Sequence, residues 1–154
     1  MALEIERKFL VASSEEYKAS SNASDILQVY LTISEKMSIR VRIDGIVASL
    51  AIKSKVSHRV NREYEYNMPI DEARSIMKLN NFPSISKTRY QLENKGHTWE
   101  IDEFHDANAG LVIAEIELEY EDEVFEFPSW IGKEVTEDMK YLNSNLATHP
   151  FSDW

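Results

Sequence analysis

The chain predicts an α+β domain, mostly antiparallel β, in which about eight strands close into a barrel with a charged interior and short flanking helices. Three observations carry this. Segment after segment alternates apolar and polar residues with period two, as a strand with one buried face does. The polar faces are sorted by charge, strand by strand, where a solvated face is usually mixed. The opposite faces carry enough aliphatic and aromatic groups to need cover of their own, which helices outside a barrel supply.

Taken in order, the first strand shows the pattern at once. In Glu4-Ile5-Glu6-Arg7-Lys8-Phe9, the side chains of Glu4, Glu6 and Lys8 share one face, and Leu3, Ile5 and Phe9 take the other. Ser13, with Glu16 three residues on, resembles a capping box opening a short helix over 14–19. Residues 26–33 set Leu27, Val29, Leu31 and Ile33 against Gln28, Tyr30 and Thr32; residues 37–43 set Ile39, Val41 and Ile43 against Ser38, Arg40 and Arg42. Asp44-Gly45 favours a two-residue type I′ hairpin turn into residues 46–54, where Lys53 lies on the polar side. Residues 59–68 place Arg59, Asn61, Glu63, Glu65 and Asn67 opposite Val60, Tyr64, Tyr66 and Met68.

Pro69 ends that strand, and Asp71 is expected to cap a helix with Ala73, Ile76, Met77 and Leu79 on its apolar side. Three strands follow. One carries Lys87 and Arg89, the next Glu100 and Asp102 after an Asn94-Lys95-Gly96 turn, and the last, over 111–120, Glu115, Glu117 and Glu119. A closing helix is expected over 137–147. No linker, repeat or low-complexity stretch interrupts the chain, so residues 1–154 read as a single domain.

Composition narrows the function. The 154 residues are 43% hydrophobic and 29% charged, with a net charge of −10. That balance disfavours non-specific attraction to nucleic acid or to an anionic membrane. There is no cysteine, hence no disulfide and no thiolate metal site. No signal-like segment and no run of about 20 apolar residues is apparent, so a cytoplasmic protein without a membrane or nucleic-acid partner is expected. The oligomeric state is left open.

The sorted charges imply a guest. Unpaired charges enclosed together cost several kcal/mol each (order of magnitude), so the interior should accommodate a charged ligand. Carboxylates from several strands offer all-oxygen ligands to a hard cation, Mg²⁺ or Mn²⁺ in preference to zinc. Arginines and lysines on the same lumen match phosphate oxygens, and their number suits a polyanion better than one phosphate. Acids for metal and bases for phosphate form the layout of phosphoryl transfer.

At this point the chain resembles the CYTH family, or triphosphate tunnel metalloenzymes. Glu4, Glu6 and Lys8 match the family's N-terminal Glu-x-Glu-x-Lys. Gln28-Val29-Tyr30-Leu31, Arg40-Val41-Arg42, Lys53, Glu63-Tyr64-Glu65, Lys87-Thr88-Arg89-Tyr90, Asp102 and Glu115-Ile116-Glu117 follow in family order. The tail, residues 128–136 with Tyr141 and Asn143, resembles the end of small bacterial members. Two departures stand out: Asn61 occupies the place of a frequent arginine, whose role Arg59 would take, and Val29 replaces a frequent glycine.

The resemblance implies an eight-stranded antiparallel tunnel acting on a small-molecule triphosphate with a divalent cation. The leading expectation is hydrolysis of inorganic triphosphate to pyrophosphate and phosphate. A class IV-type adenylate cyclase, a thiamine or nucleoside triphosphatase, and a non-catalytic polyphosphate-binding module are the alternatives. In this scheme Glu4, Glu6, Glu115 and Glu117 bind metal, with Glu63, Glu65 and Asp102 as nearby ligands or water holders. Arg40, Arg42, Lys53, Lys87 and Arg89, with Arg59, clamp phosphates. Lys8, paired with Tyr30, deprotonates the attacking water or serves as a further clamp; as a base its pKa would be lowered by partial burial and neighbouring cations. Glu134 would cap a helix or serve the site.

Overall fold

In the computed structural model, which describes residues 1–12, 15–19 and 21–154, the alternating segments pair into one antiparallel sheet. Its strands are β1 (Ala2–Val11), β2 (Asn22–Ile33), β3 (Met37–Asp44), β4 (Val47–Lys55), β5 (Val60–Met68), β6 (Ser84–Asn94), β7 (His97–Phe104), β8 (Val112–Leu118) and β9 (Ile131–Glu134). The helices are α1 (Glu15–Ala19), α2 (Ile70–Met77) and α3 (Asn143–Thr148). The order β5-β4-β3-β2-β6-β7-β8-β1, with β1 returning to β5, closes eight strands into a barrel. β1 makes the closure alone: its first half pairs with β5 (Glu4 opposite Asn61) and its second with β8 (Lys8 opposite Glu115). Closure covers the edge of β5 over Val60–Glu63 and leaves its second half paired with β4 alone.

β9 is a strand beyond the expected eight. It pairs with the end of β1, Phe9 facing Glu134, on the side that β5 leaves free. Gly132 belongs there for a steric reason: a Cβ at that position would sit 2.9 Å from the Leu10 carbonyl oxygen.

The apolar halves of the strands face outward and are covered there. Phe9, Trp99, Ile101 and Ile116 pack with Tyr17 of α1 and with Phe125 and Trp130 of the loop between β8 and β9. α2 lays Ala73 over Val41 and Ala48. Leu146 of α3 packs differently: Tyr30, Ile85, Phe104 and Ile113 share the inward parity of Gln28, Lys87, Asp102 and Glu115, so with Leu111 it fills one end of the barrel from inside. Because all neighbours are antiparallel, the end where β1 finishes is also the end where β6 and β8 begin. The C-terminal segment lies across that end, its Val135 N–H donating to the Lys8 carbonyl at 2.8 Å.

Local expectations need four corrections. The closing helix is broken: a single 3-10 turn at Met139–Tyr141 is separated from α3 by Leu142, whose ψ of 136° is extended. α2 is entered from Pro69 without a side-chain cap, Asp71 sits inside its first turn, and Leu79 lies past its end and exposed. At the β3–β4 turn Gly45 takes φ +59° while Ile46 is not left-handed, which fits type II′ and not I′. The expected cap residue Ser13 lies outside the described residues.

Candidate active site

Strand parity brings the charges to one place. β1 supplies Glu4, Glu6 and Lys8, β3 Arg40 and Arg42, and β4 Lys53; β5 adds Glu63 and Glu65, β6 Lys87 and Arg89, and β8 Glu115 and Glu117. With Tyr30 from β2 they line one cavity of about 1590 Å³. Among the described residues no helix is long and apolar enough to cross a membrane.

The bases of β6 are anchored from beneath. Asp102 of β7 is 0% exposed and receives Arg89 bidentately, Nε to Oδ1 at 2.7 Å and Nη2 to Oδ2 at 2.8 Å. Its Oδ2 also accepts from Lys87 Nζ at 2.6 Å. Those cations outweigh burial and hold Asp102 below the usual carboxylate range. Asp102 is therefore committed to two bases, which corrects the expectation of a metal ligand or water holder. Burial pushes the Lys87 ammonium down to about 7, with Arg89 and Arg42 adding to the effect against the pull of Asp102. Burial also lowers Arg42, to about 10, helped by Arg40 and Arg89.

The acids divide into paired and unpaired sets. Glu115 accepts from Lys8 Nζ at 3.0 Å, and Lys8 and Arg89 hold it well below its usual range despite burial. Glu63 lies 3.4 Å from Lys53 and 3.7 Å from Arg40. Glu4 lies 2.6 Å from Lys53. Glu117 has no ion-pair partner among the described residues, and partial burial with the carboxylates of Glu4, Glu6 and Glu100 raises it. Glu65 is exposed at the rim. The Glu4 Oε2, Glu63 Oε2 and Arg40 Nε atoms are buried without an aligned hydrogen bond. Lys53 Nζ nonetheless stands beside both carboxylate oxygens, so of these three atoms Arg40 Nε is the one without a hydrogen-bond or ion-pair contact of its own, and all three residues line the cavity.

Lys8 departs from its expected chemistry. Burial favours the neutral amine, but Glu115 and Glu6 (3.5 Å) outweigh it and raise Lys8 above its usual value. Its neighbours are anions where cations were expected, which favours the ammonium form and the clamp reading over the base. Nor does it bond Tyr30, whose hydroxyl instead accepts from Gln28 Nε2 at 2.9 Å. Arg59 is a second correction: it does not line the cavity. Parity was extended one residue too far, because β5 starts at Val60 and Arg59 belongs to the preceding turn, its N–H donating to Ser57 Oγ. Glu134 is neither a cap nor a lumen residue; on β9 it receives Arg7 at 2.7 and 2.9 Å on the outer wall.

Two lining residues, Glu100 and Asn143, and the buried Gln28 beside them were missed as site members. Glu100 and Gln28 carried the parity signal, Glu100 facing Arg89 and Gln28 accepting from Arg42 Nε at 3.2 Å. Asn143 carried none, since it arrives from the C-terminal segment and reaches Lys87 Nζ at 2.9 Å.

The donor set suits a hard divalent cation. Glu4, Glu6, Glu100 and Glu117 offer carboxylate oxygens to the lumen, and partial burial together with the repulsion of the other three raises Glu117. Among the described residues no three acidic or histidine groups form a closed cage. A Mg²⁺-type ion keeps several waters and needs only one or two carboxylates beside a phosphate, so the set fits.

Similarity to known proteins agrees with this geometry. The CYTH domain profile matches residues 2–149. The chain is 43% identical to an inorganic triphosphatase of Acetivibrio thermocellus over 155 residues, 100% of this chain and 99% of that one. It is 32% identical to an inorganic triphosphatase of Nitrosomonas europaea, over 94% of this chain and 96% of the other. The crystal structure of the inorganic triphosphatase NE1496 superposes with a TM-score of 0.69 at 33% identity, covering 93% and 96% of the two chains.

Proposed function

The chain belongs to the CYTH domain family, and on that premise we propose that it hydrolyses inorganic triphosphate to pyrophosphate and phosphate in a divalent-metal-dependent reaction. The observation that carries the reading is the single lumen in which carboxylates and bases from different strands face one another, Glu117 without an ion-pair partner among the described residues and Arg40 Nε without an acceptor. The relatives named inorganic triphosphatase at 43% and 32% identity support the substrate.

Arg40, Arg42, Lys53, Lys87 and Arg89 bind the phosphate oxygens, and the unpartnered Arg40 Nε is a donor ready for one. Lys8 acts as a clamp, its charge secured by Glu115 and Glu6. Glu4, Glu6 and Glu117, with Glu100 beside them, are the residues that would hold Mg²⁺ or Mn²⁺, which supplies charge neutralisation and activation of water. Water adds to a terminal phosphorus as the bridging P–O bond breaks, its proton passes to solvent, and pyrophosphate leaves with the new negative charge on its oxygen. The bases are positioned before reaction by Asp102 and Glu115, so little reorganisation accompanies the charge shift.

The test is phosphate release from inorganic triphosphate, ATP, thiamine triphosphate and longer polyphosphate, each with Mg²⁺ or Mn²⁺, with cyclic AMP assayed alongside. Inorganic triphosphate is expected to be turned over fastest. Negligible release from all four, or cyclic AMP as the main product of ATP, would overturn the proposal.

A further inference from the structure

The tail's Asn143 has no part in the phosphate or metal sets, yet it lines the cavity. It stands at the first position of α3, just after the extended Leu142, so it projects toward the barrel end that the segment covers. Its Oδ1 accepts from Lys87 Nζ at 2.9 Å and, with longer reach, from Gln28 Nε2 at 3.4 Å. Lys87 is 1% exposed, and its other fixed acceptor is Asp102 Oδ2 at 2.6 Å.

An ammonium has three donors. Two are taken here, by Asp102 and Asn143, and one remains for a ligand. The identity of the second acceptor matters. A carboxylate would cancel the charge that draws phosphate, whereas an amide oxygen satisfies the donor and leaves the charge in place. Asp102 is already shared with Arg89, so whenever Lys87 is protonated the three keep one net positive charge, a form that a bound polyanion favours against the burial that lowers Lys87. Without the amide, the flexible lysine stem has one anchor, and confining it to a productive pose costs rotamer freedom.

We propose that Asn143 is a positioning residue that holds the Lys87 ammonium toward the lumen and so sets the affinity of the site for triphosphate. This rests on the triphosphatase reading above and adds to it a residue from outside the barrel strands. The segment's tail pattern thereby gains a role: it delivers one neutral acceptor to a buried cation.

The experiment is a double-mutant cycle of Asn143→Leu and Lys87→Met, read as KM and kcat for inorganic triphosphate with Mg²⁺ and as Kd for inorganic triphosphate by calorimetry without metal. Asn143→Leu is expected to weaken metal-free binding and raise KM about tenfold, with a smaller change in kcat. In the Lys87→Met background it should add less than about twofold, because the residue it positions is gone. Effects that multiply, or an unchanged KM and Kd in Asn143→Leu, would overturn the inference. Asn143→Ala repeats the cycle if the leucine variant does not fold. A wild-type protein that neither binds nor hydrolyses inorganic triphosphate would refute the underlying function instead, and the two failures are distinct.

Discussion

β1 carries charges on both faces, one peptide apart, and the two faces are finished differently. Outward, Arg7 meets Glu134 in a two-pronged hydrogen-bonded pair, and its guanidinium lies 5.4 Å from the Phe9 ring and 5.1 Å from that of Phe125. Every charge there has its partner inside the protein. Inward, Glu117 has no ion-pair partner among the described residues, and across the lumen Arg40 holds a buried nitrogen without an acceptor. The outer pair ties β9 to the barrel and is complete in itself. The inner set is incomplete, and incompleteness is what a site for a charged ligand requires. The same residue types on the same strand therefore serve stability on one side and chemistry on the other.

Several substitutions break or sharpen this contrast. The largest effect belongs to Glu4→Gln and Glu6→Gln, which should lower kcat for inorganic triphosphate by about 100-fold or more while the fold persists, as circular dichroism would show. Next, Arg40→Ala should raise KM about tenfold with a melting temperature close to wild type, since its guanidinium has only one long ion pair to lose, with Glu63 at 3.7 Å. By contrast Arg7→Ala should destabilise the protein by about 1–2 kcal/mol in urea unfolding and leave KM and kcat within about twofold.

The smallest effect is one of pH, and the two faces give it opposite signs. Glu134 is held below the ordinary carboxylate range by its bonds from Arg7, against partial burial. Its contribution is present above the unfolded value and is lost as pH falls through the lowered folded one. Glu117 is raised by partial burial and by Glu4, Glu6 and Glu100. It destabilises the metal-free fold above its raised value, and that cost disappears as pH falls to the unfolded value. Melting curves of metal-free protein from about pH 3 to 7 should show Glu134→Gln losing its deficit on acidification and Glu117→Gln losing its gain.

The lumen was legible because strand parity is a strict code: once residues alternate, Glu4, Arg40, Glu63, Lys87 and Glu115 must share a side. The code fails at strand ends, and Arg59 is the instance, read inward although the strand starts one residue later. It also says nothing of which charges neutralise each other. Asp102 and Glu117 carry the same parity signal, yet one is spent on Lys87 and Arg89 and the other faces open cavity. The anions around Lys8 are set by cross-strand register with Glu115, which alternation leaves free. Asn143 lay beyond any periodic argument, because its place depends on how the tail crosses the barrel end. The broken closing helix follows from the same docking, with Leu142 extended between Tyr141 and Leu146, both packed into the core there.

The central claim is that triphosphate and metal occupy the lumen between the acids of β1 and β8 and the bases of β3, β4 and β6. It is tested most directly by a crystal structure of the protein soaked with Mn²⁺ and a non-hydrolysable imidotriphosphate, recorded at the manganese edge. An anomalous peak beside Glu4, Glu6 and Glu117, with phosphate density on Arg40, Lys53 and Arg89, is the predicted result. Manganese and ligand bound on the outer wall, with the lumen holding only water, would contradict it.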